Sequence, residues 1–274
     1  MKKFLVLALV AVSFGAFAQT FPIPSPYAKV YQLVGLNEME ISYSSPGVKD
    51  RAIFGTLVPN NELWRTGANS STTLTASENF TIGNKEIEAG TYSVFTIPNG
   101  DEITFILNSN AKAGTGNRNE KEDVVSIKIP FAKENKSMER LQFTFENTTA
   151  DGTDIVMRWA DRSFSVPVKV DSKASAERNF KAKQNEFNSE FSLYSDAANY
   201  YYEIGDYKKA VEMAKKSTDL SKKFWNTHML AKAYAATGDK KNAKAAAEES
   251  LKLAKEINYT HYIMLNEQLL KDLK

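Results

Sequence analysis

The chain has 274 residues, 42% of them hydrophobic, and no cysteine. That length supports one large or two ordinary domains, each with its own core, and the missing cysteines exclude disulfides, thiol nucleophiles and thiolate zinc sites. With 35 basic against 33 acidic residues, spread rather than gathered in a stripe, the chain lacks the footprint of a nucleic-acid binder.

Residues 1–18 read as a secretory signal. Lys2 and Lys3 precede an apolar run from Phe4 to Phe17, and Ala16-Phe17-Ala18 offers the small residues a signal peptidase needs. The run is short for a hydrocarbon core of ~30 Å. Cleavage is expected after Ala18, leaving Gln19 as the mature N-terminus in the periplasm or outside the cell. No cysteine follows to carry a lipid, and no second apolar stretch of membrane length appears.

Residues 19–170 predict an antiparallel β-sandwich or barrel of nine or ten strands. Apolar residues alternate in Met39/Ile41/Tyr43, Ile103/Phe105/Leu107, Leu141/Phe143/Phe145, Ile155/Met157/Trp159 and Phe164/Val166/Val168, which puts one face of each strand on a core. Gly83-Asn84, Asn99-Gly100 and Asp151-Gly152 supply turn residues that tolerate positive φ. Pro22, Pro24 and Pro26 force an extended lead-in. Two stretches break the pattern. Residues 44–66, with Pro46, Gly47, Gly55 and Pro59, read as a long loop with one helical turn. Residues 108–123, rich in Asn, Gly and charge, read as a mobile loop with little to bury; calcium is its functional alternative, without the spacing of a known oxygen-ligand loop.

Several phrases of this domain resemble a family of exported bacterial proteins, the domain of unknown function 2911. They are Ser25-Pro26, Gln32, Val34-Gly35, Tyr43-Ser44, Ile53-Phe54-Gly55, Leu57-Val58-Pro59, Trp64-Arg65-Thr66-Gly67-Ala68-Asn69 and Ala89-Gly90-Thr91-Tyr92-Ser93. The resemblance covers roughly residues 25–170 and implies fold and export, since the family carries no established activity. The family pattern places an acidic residue after the asparagine, where this chain has Ser70. Trp64, Arg65 and Asn69 have two readings. Together they could line a pocket for a carboxylate or a sugar. Alternatively, Trp64 plugs the end of the sandwich, Arg65 ties down the long loop, and Gly67 and Asn69 make a tight turn.

Residues 171–189 are polar, with Phe180 and Phe187 as the large apolar residues, and read as a linker running into a helix. Residues 190–274 carry a period of 33: Gly205-Asp206 returns as Gly238-Asp239, Ala210 as Ala243, Ala214 as Ala247 and Ser217 as Ser250. Gly-Asp suits the end of one helix and the cap of the next. The pattern resembles the tetratricopeptide repeat, whose period is normally 34, with Tyr259–Lys274 as a capping helix. His228 and His261 share one repeat position, and no carboxylate pattern completes a metal site.

No catalytic motif, metal site or cofactor motif stands out, so the sequence predicts an exported, non-enzymatic binding or scaffolding protein. Its repeats would contact an envelope protein or peptide through Tyr194, Asn199, Tyr201, Tyr234 and Asn266. The alternative is a glycan-binding or glycan-hydrolysing protein working through the β domain, with Asp50, Glu62, Asp101 and Glu102 as available acids.

Overall fold

A computed structural model describes residues 21–186 and 190–274; the predicted signal, its cleavage site and Phe187 lie outside the described residues. The chain divides into two compact units that meet at Ser172 and Lys173. No helix among the described residues is long and apolar enough to cross a membrane.

The first unit holds two antiparallel sheets and no closed barrel. One has the order β1-β2-β3-β6-β7-β8, the other β5-β4-β10-β9. The strands are β1 (Tyr27–Val34), β2 (Asn37–Ser44), β3 (Thr72–Ala76), β4 (Phe80–Ile82), β5 (Lys85–Ile87), β6 (Gly90–Asn99), β7 (Glu102–Asn108), β8 (Asp123–Pro130), β9 (Ala132–Glu146) and β10 (Gly152–Lys169). The alternating residues of the sequence all turn inward: Met39, Ile41, Ile103, Phe105, Leu107, Leu141, Met157, Trp159 and Val166 sit in one buried cluster. Gly83 and Gly100 open the two-residue turns of β4–β5 and β6–β7 with φ of 62° and 63°.

The runs ending at Trp159 and starting at Phe164 belong to a single strand. They are out of phase by one residue, and β10 absorbs the difference around Ala160, which takes a φ of 51°. The pairing with β9 slips between Arg158, Ala160 and Arg162, so that Trp159 and Phe164 both face the core.

Both irregular stretches differ from expectation. Residues 45–71 contain no helical turn; Pro46, Gly47, Gly55 and Pro59 interrupt any regular run. The segment is held to the sheets by bridges from Gly47 to Arg140 and from Trp64 to Thr96, closes on itself between Phe54 and Val58, and sends Ile53 and Val58 into the core. The loop expected to be mobile is instead tied down. The Asn108 amide donates to Asn119 O (2.9 Å) and to the Asp123 carboxylate (2.8 Å), which also pairs with Arg118. Ser93 Oγ donates to Asn110 O (2.8 Å). Ala113 packs on Phe95 and Ile106, forming a small second core on the outer face of the larger sheet. Of the acids in this stretch, Glu120 and Asp123 pair with Arg118 and Asp123 also accepts from Asn108, while Glu122 Oε2 is buried without a hydrogen-bond partner.

The second unit is helical: α1 (Ser172–Glu186), α2 (Phe191–Glu203), α3 (Tyr207–Leu220), α4 (Phe224–Ala236), α5 (Lys240–Glu256) and α6 (Thr260–Asp272). The stretch read as a linker is therefore helical over most of its length, because Lys, Ala, Glu and Gln favour helix even without an apolar stripe. Phe180 meets Tyr194 at 5.7 Å, edge to face, and Lys209 bonds Glu177 at 2.7 Å, joining α1 to the hairpin behind it. Gly205 and Gly238 end α2 and α4 with φ of 79° and 81°. The carboxylates of Asp206 and Asp239 then accept the N–H of Lys209 and Asn242 (3.3 and 3.1 Å), as the Gly-Asp echo predicts. Ala198, Ala210, Ala214, Ala231, Ala243 and Ala247 are buried where the helices approach.

A second device repeats with the period. Ser217 Oγ donates to Phe191 O at 2.8 Å, and Ser250 Oγ donates to Phe224 O at 2.7 Å. Each hydroxyl then accepts an amide from the next hairpin's first helix: Asn226 Nδ2 at 3.0 Å and Asn266 Nδ2 at 2.8 Å. The serines bond within their own hairpins and staple them to the following helix.

Candidate functional site

The Trp64–Asn69 turn lies near the end of the 45–71 segment and is bridged to β6. Trp64 and Thr96 exchange backbone hydrogen bonds of 2.8 and 2.9 Å. The indole stacks on Trp159 (5.8 Å, 22°), meets Phe54 edge to face (5.9 Å), and donates Nε1–H to Gly67 O (3.0 Å). Arg65 folds over its own turn, donating to Asn69 O and, at 3.3 Å, to Thr115 Oγ1. Asn69 has a φ of 57°, and its amide reaches Ser25 O and Ser44 Oγ (each 3.2 Å). Thr66 is fully buried; its hydroxyl meets that of Thr96 at 3.1 Å, and its carbonyl accepts from Thr72 Oγ1 at 2.8 Å. Gly67 is closely surrounded, since a Cβ there would lie 3.0 Å from Thr72 Oγ1 and 3.2 Å from Ser44 O and would press on both.

The three side chains singled out in the sequence thus point to three places: the core, the turn itself, and the lead-in chain. Their contacts are those of a clasp, with hydrogen-bonding groups turned to the protein. Thr66 and Thr72, which complete the clasp, were missed because hydroxyls at such positions carry no pattern of their own. Among the acids weighed for glycan chemistry, Asp101 pairs with Arg162 (2.6 Å) and Glu102 with Lys128 (3.0 Å). Asp50 and Glu62 are exposed on the 45–71 segment.

In the helical unit, Tyr194, Tyr201 and Asn266 are buried, at 1%, 5% and 0% exposure. They correct the expectation of a recognition surface at those positions, because aromatic residues at the repeat's spacing fill the space between paired helices. Tyr194 also borders a cleft of about 390 Å³ with Gln184, Met213, Lys216 and Asp219. Asn199 is exposed and Tyr234 half-buried. Asn199 shares the accessible surface of α2, α4 and α6 with residues not singled out in the sequence. Lys232 Nζ lies 4.3 Å from the centre of the Tyr202 ring, Trp225 is 38% exposed, and His261 and Tyr262 are in ring contact at 5.6 Å.

Behind this surface His228 is buried, its Nδ1 at 2.8 Å from Asn266 Oδ1. The Asn266 amide nitrogen is committed to Ser250 Oγ and Tyr262 O (2.7 Å), which assigns the proton of this contact to the imidazole Nδ1. Burial pushes the His228 pKa down, and the Lys232 and His261 charges push the same way against the Asn266 hydrogen bond. The ring is neutral in the fold and takes a proton readily on unfolding. Its stabilisation is therefore present above the unfolded value of 6.5 and is lost as pH falls below it. Helix melts between about pH 7.5 and 5 should show this acid destabilisation, and it should be smaller in His228→Gln. An equal slope in both proteins would assign the effect elsewhere. Among the described residues, no three His, Asp or Glu side chains are grouped to hold a metal.

The model of a family described as a protein of unknown function (DUF2911) matches residues 25–168. The tetratricopeptide repeat matches residues 191–224 and 228–257, the α2–α3 and α4–α5 hairpins. No curated protein matches the chain.

Proposed function

The chain belongs to the DUF2911 family through its sheet unit, and from that premise and the repeats behind it we propose an exported scaffold of the bacterial envelope whose helical unit binds a protein or peptide partner. Tetratricopeptide repeats are protein-interaction scaffolds, stacking hairpins so that their first helices share one face. The signal-like Lys2–Ala18 segment supports export.

One observation carries the partner reading. The first helices α2 and α4 present Asn199 and Tyr202, three residues apart, and Trp225 and Lys232, seven apart, spacings that keep side chains on one side of a helix, and α6 adds the adjacent His261 and Tyr262 in its first turn. Such a strip of aromatic rings, one cation and amide groups suits an extended or helical peptide. A photo-crosslinking residue at Trp225 or Lys232 should yield one discrete adduct in the native cell envelope. The same residue at Lys244, exposed on α5, should not. Equal labelling at all three positions, or none at any, would rule out this face.

A further inference from the structure

The sheet unit leaves its exposed apolar surface in one place. Among its described residues, seven large hydrophobic side chains are exposed, and all but Leu57 lie between Phe21 and Leu36. Three of them, Tyr27 (59%), Tyr31 (53%) and Leu33 (49%), stand in a row on β1. Among the described residues, β1 is the outermost strand of the six-stranded sheet and pairs only with β2.

The unit's other sheet edges are blunted in ways that discourage pairing. β5 is three residues long. β8 ends in Pro130, and its pairing with β7 is irregular at Asn108. β9 carries Lys133, Glu134, Lys136, Glu139 and Arg140 and is irregular against β10. β1 has none of these features. It runs eight residues without proline and in unbroken register from Tyr27↔Ser44 to Val34↔Asn37. Its single charge, Lys29, is drawn to Glu40 on the neighbouring strand at 2.8 Å.

The outward backbone of this edge meets no second strand among the described residues. Ser45 N–H bonds Pro26 O at 2.8 Å, and that phase continues along an antiparallel ladder. It gives the even-numbered residues of β1 to β2 and turns the N–H and C=O of Tyr27, Lys29, Tyr31 and Leu33 outward. Leu33 O accordingly takes the side-chain amide of its neighbour Gln32 (3.0 Å).

We propose that β1 is a dimerisation strand, pairing antiparallel with β1 of a second copy about a two-fold axis at Val30. The sequence of the strand is self-complementary in that register. Tyr27 falls opposite Leu33 of the second copy, apolar on apolar, and Lys29 falls opposite its Tyr31, a cation beside an aromatic ring. All four pairs join residues whose backbone groups point outward, so about eight main-chain hydrogen bonds form across the axis. A register centred on Lys29 would set the two lysines face to face. The fit of one strand to itself selects a second copy over a strand from another protein.

Sedimentation equilibrium of the full chain over a concentration series is expected to show a reversible dimer. Tyr31→Lys adds the charge that other edges carry and should weaken the dimer about tenfold or more. Its melting temperature, extrapolated to dilute protein, should match the parent's, since Tyr31 is exposed and its backbone takes no part in the β1–β2 ladder. The cysteine-free chain gives a register test. Val30→Cys places two thiols on the axis with Cα atoms about 4.5 Å apart, within disulfide reach. In Gln32→Cys they are about 13 Å apart. Mild oxidation should link the first and not the second. A chain that stays monomeric at every concentration would overturn the second copy as occupant. A dimer that ignores Tyr31→Lys would overturn the strand, and linkage through residue 32 but not 30 would overturn the register.

Discussion

Trp64→Ala is expected to cost the sheet unit about 3–5 kcal/mol, as other large aromatic truncations do, and to lower its melting temperature by roughly 10 °C or more. The loss has several sources. The indole stacks on Trp159 and closes an aromatic group with Phe54, which in turn meets Phe131 at 4.8 Å. Its Nε1–H satisfies Gly67 O, which alanine would leave to water. The 45–71 segment would keep its backbone bridge at Thr96 but lose the anchor beneath it. Arg65→Ala should act in the same direction and more weakly, about 1 kcal/mol, because that side chain is only half-buried. A ligand site behaves in the opposite way, since binding residues add little to the stability of the empty protein. Differential scanning calorimetry of the two variants decides between these cases. Two parental melting temperatures, beside a wild type stabilised by a sugar or a peptide, would make the turn a binding site.

Asn266→Ala should be the most damaging single change in the helical unit outside its alanine seams, at about 2–3 kcal/mol. This side chain has no exposed surface and joins three helices: Ser250 on α5, His228 on α4, and Tyr262 O on its own helix. Alanine would leave the His228 Nδ1–H buried without its acceptor, which costs more than the hydrogen bond itself contributed. Replacing both partners, His228→Phe with Asn266→Leu, removes the stranded donor along with its acceptor. The double variant should therefore be less destabilised than the sum of the two single ones. Additive losses in a double-mutant cycle would mean that the contact is incidental to the docking of α6.

The parts of the fold that were legible in the sequence are those where one residue type has one physical use. Alternating Ile, Phe and Val require a buried face, and Gly-Asp at the hairpin tips serves as a helix stop and a cap. The phase break in β10 was not legible, because nothing in Ala160 advertises a left-handed backbone; the surrounding sheet imposes it. The tyrosines chosen for recognition were misplaced for a related reason. An aromatic ring at the repeat's interior spacing looks like one on its surface until the partner helix is in position. Trp225, exposed on α4, has no counterpart at the equivalent position of α2, where Ser192 stands, and so no repeat signal marked it. The hydroxyl-to-amide staples were half visible, since Ser217 and Ser250 keep the period, whereas Asn226 and Asn266 do not.

The 109–119 loop bears on how this protein could be shortened or extended. Loops made of glycine, asparagine and charge are usually the first candidates for trimming, and this one looks expendable by composition. It is instead the roof over Phe95 and Ile106, two fully buried residues on the outward side of the larger sheet. Cutting it back to a tight β7–β8 hairpin would strip that roof away. It would leave a bare apolar patch on a surface that is otherwise wet and create a sticky site in a fold whose core remained whole. Insertions at its exposed tip, near Gly116 where a side chain would meet open space, would leave the roof in place. Length at this point can grow far more safely than it can shrink.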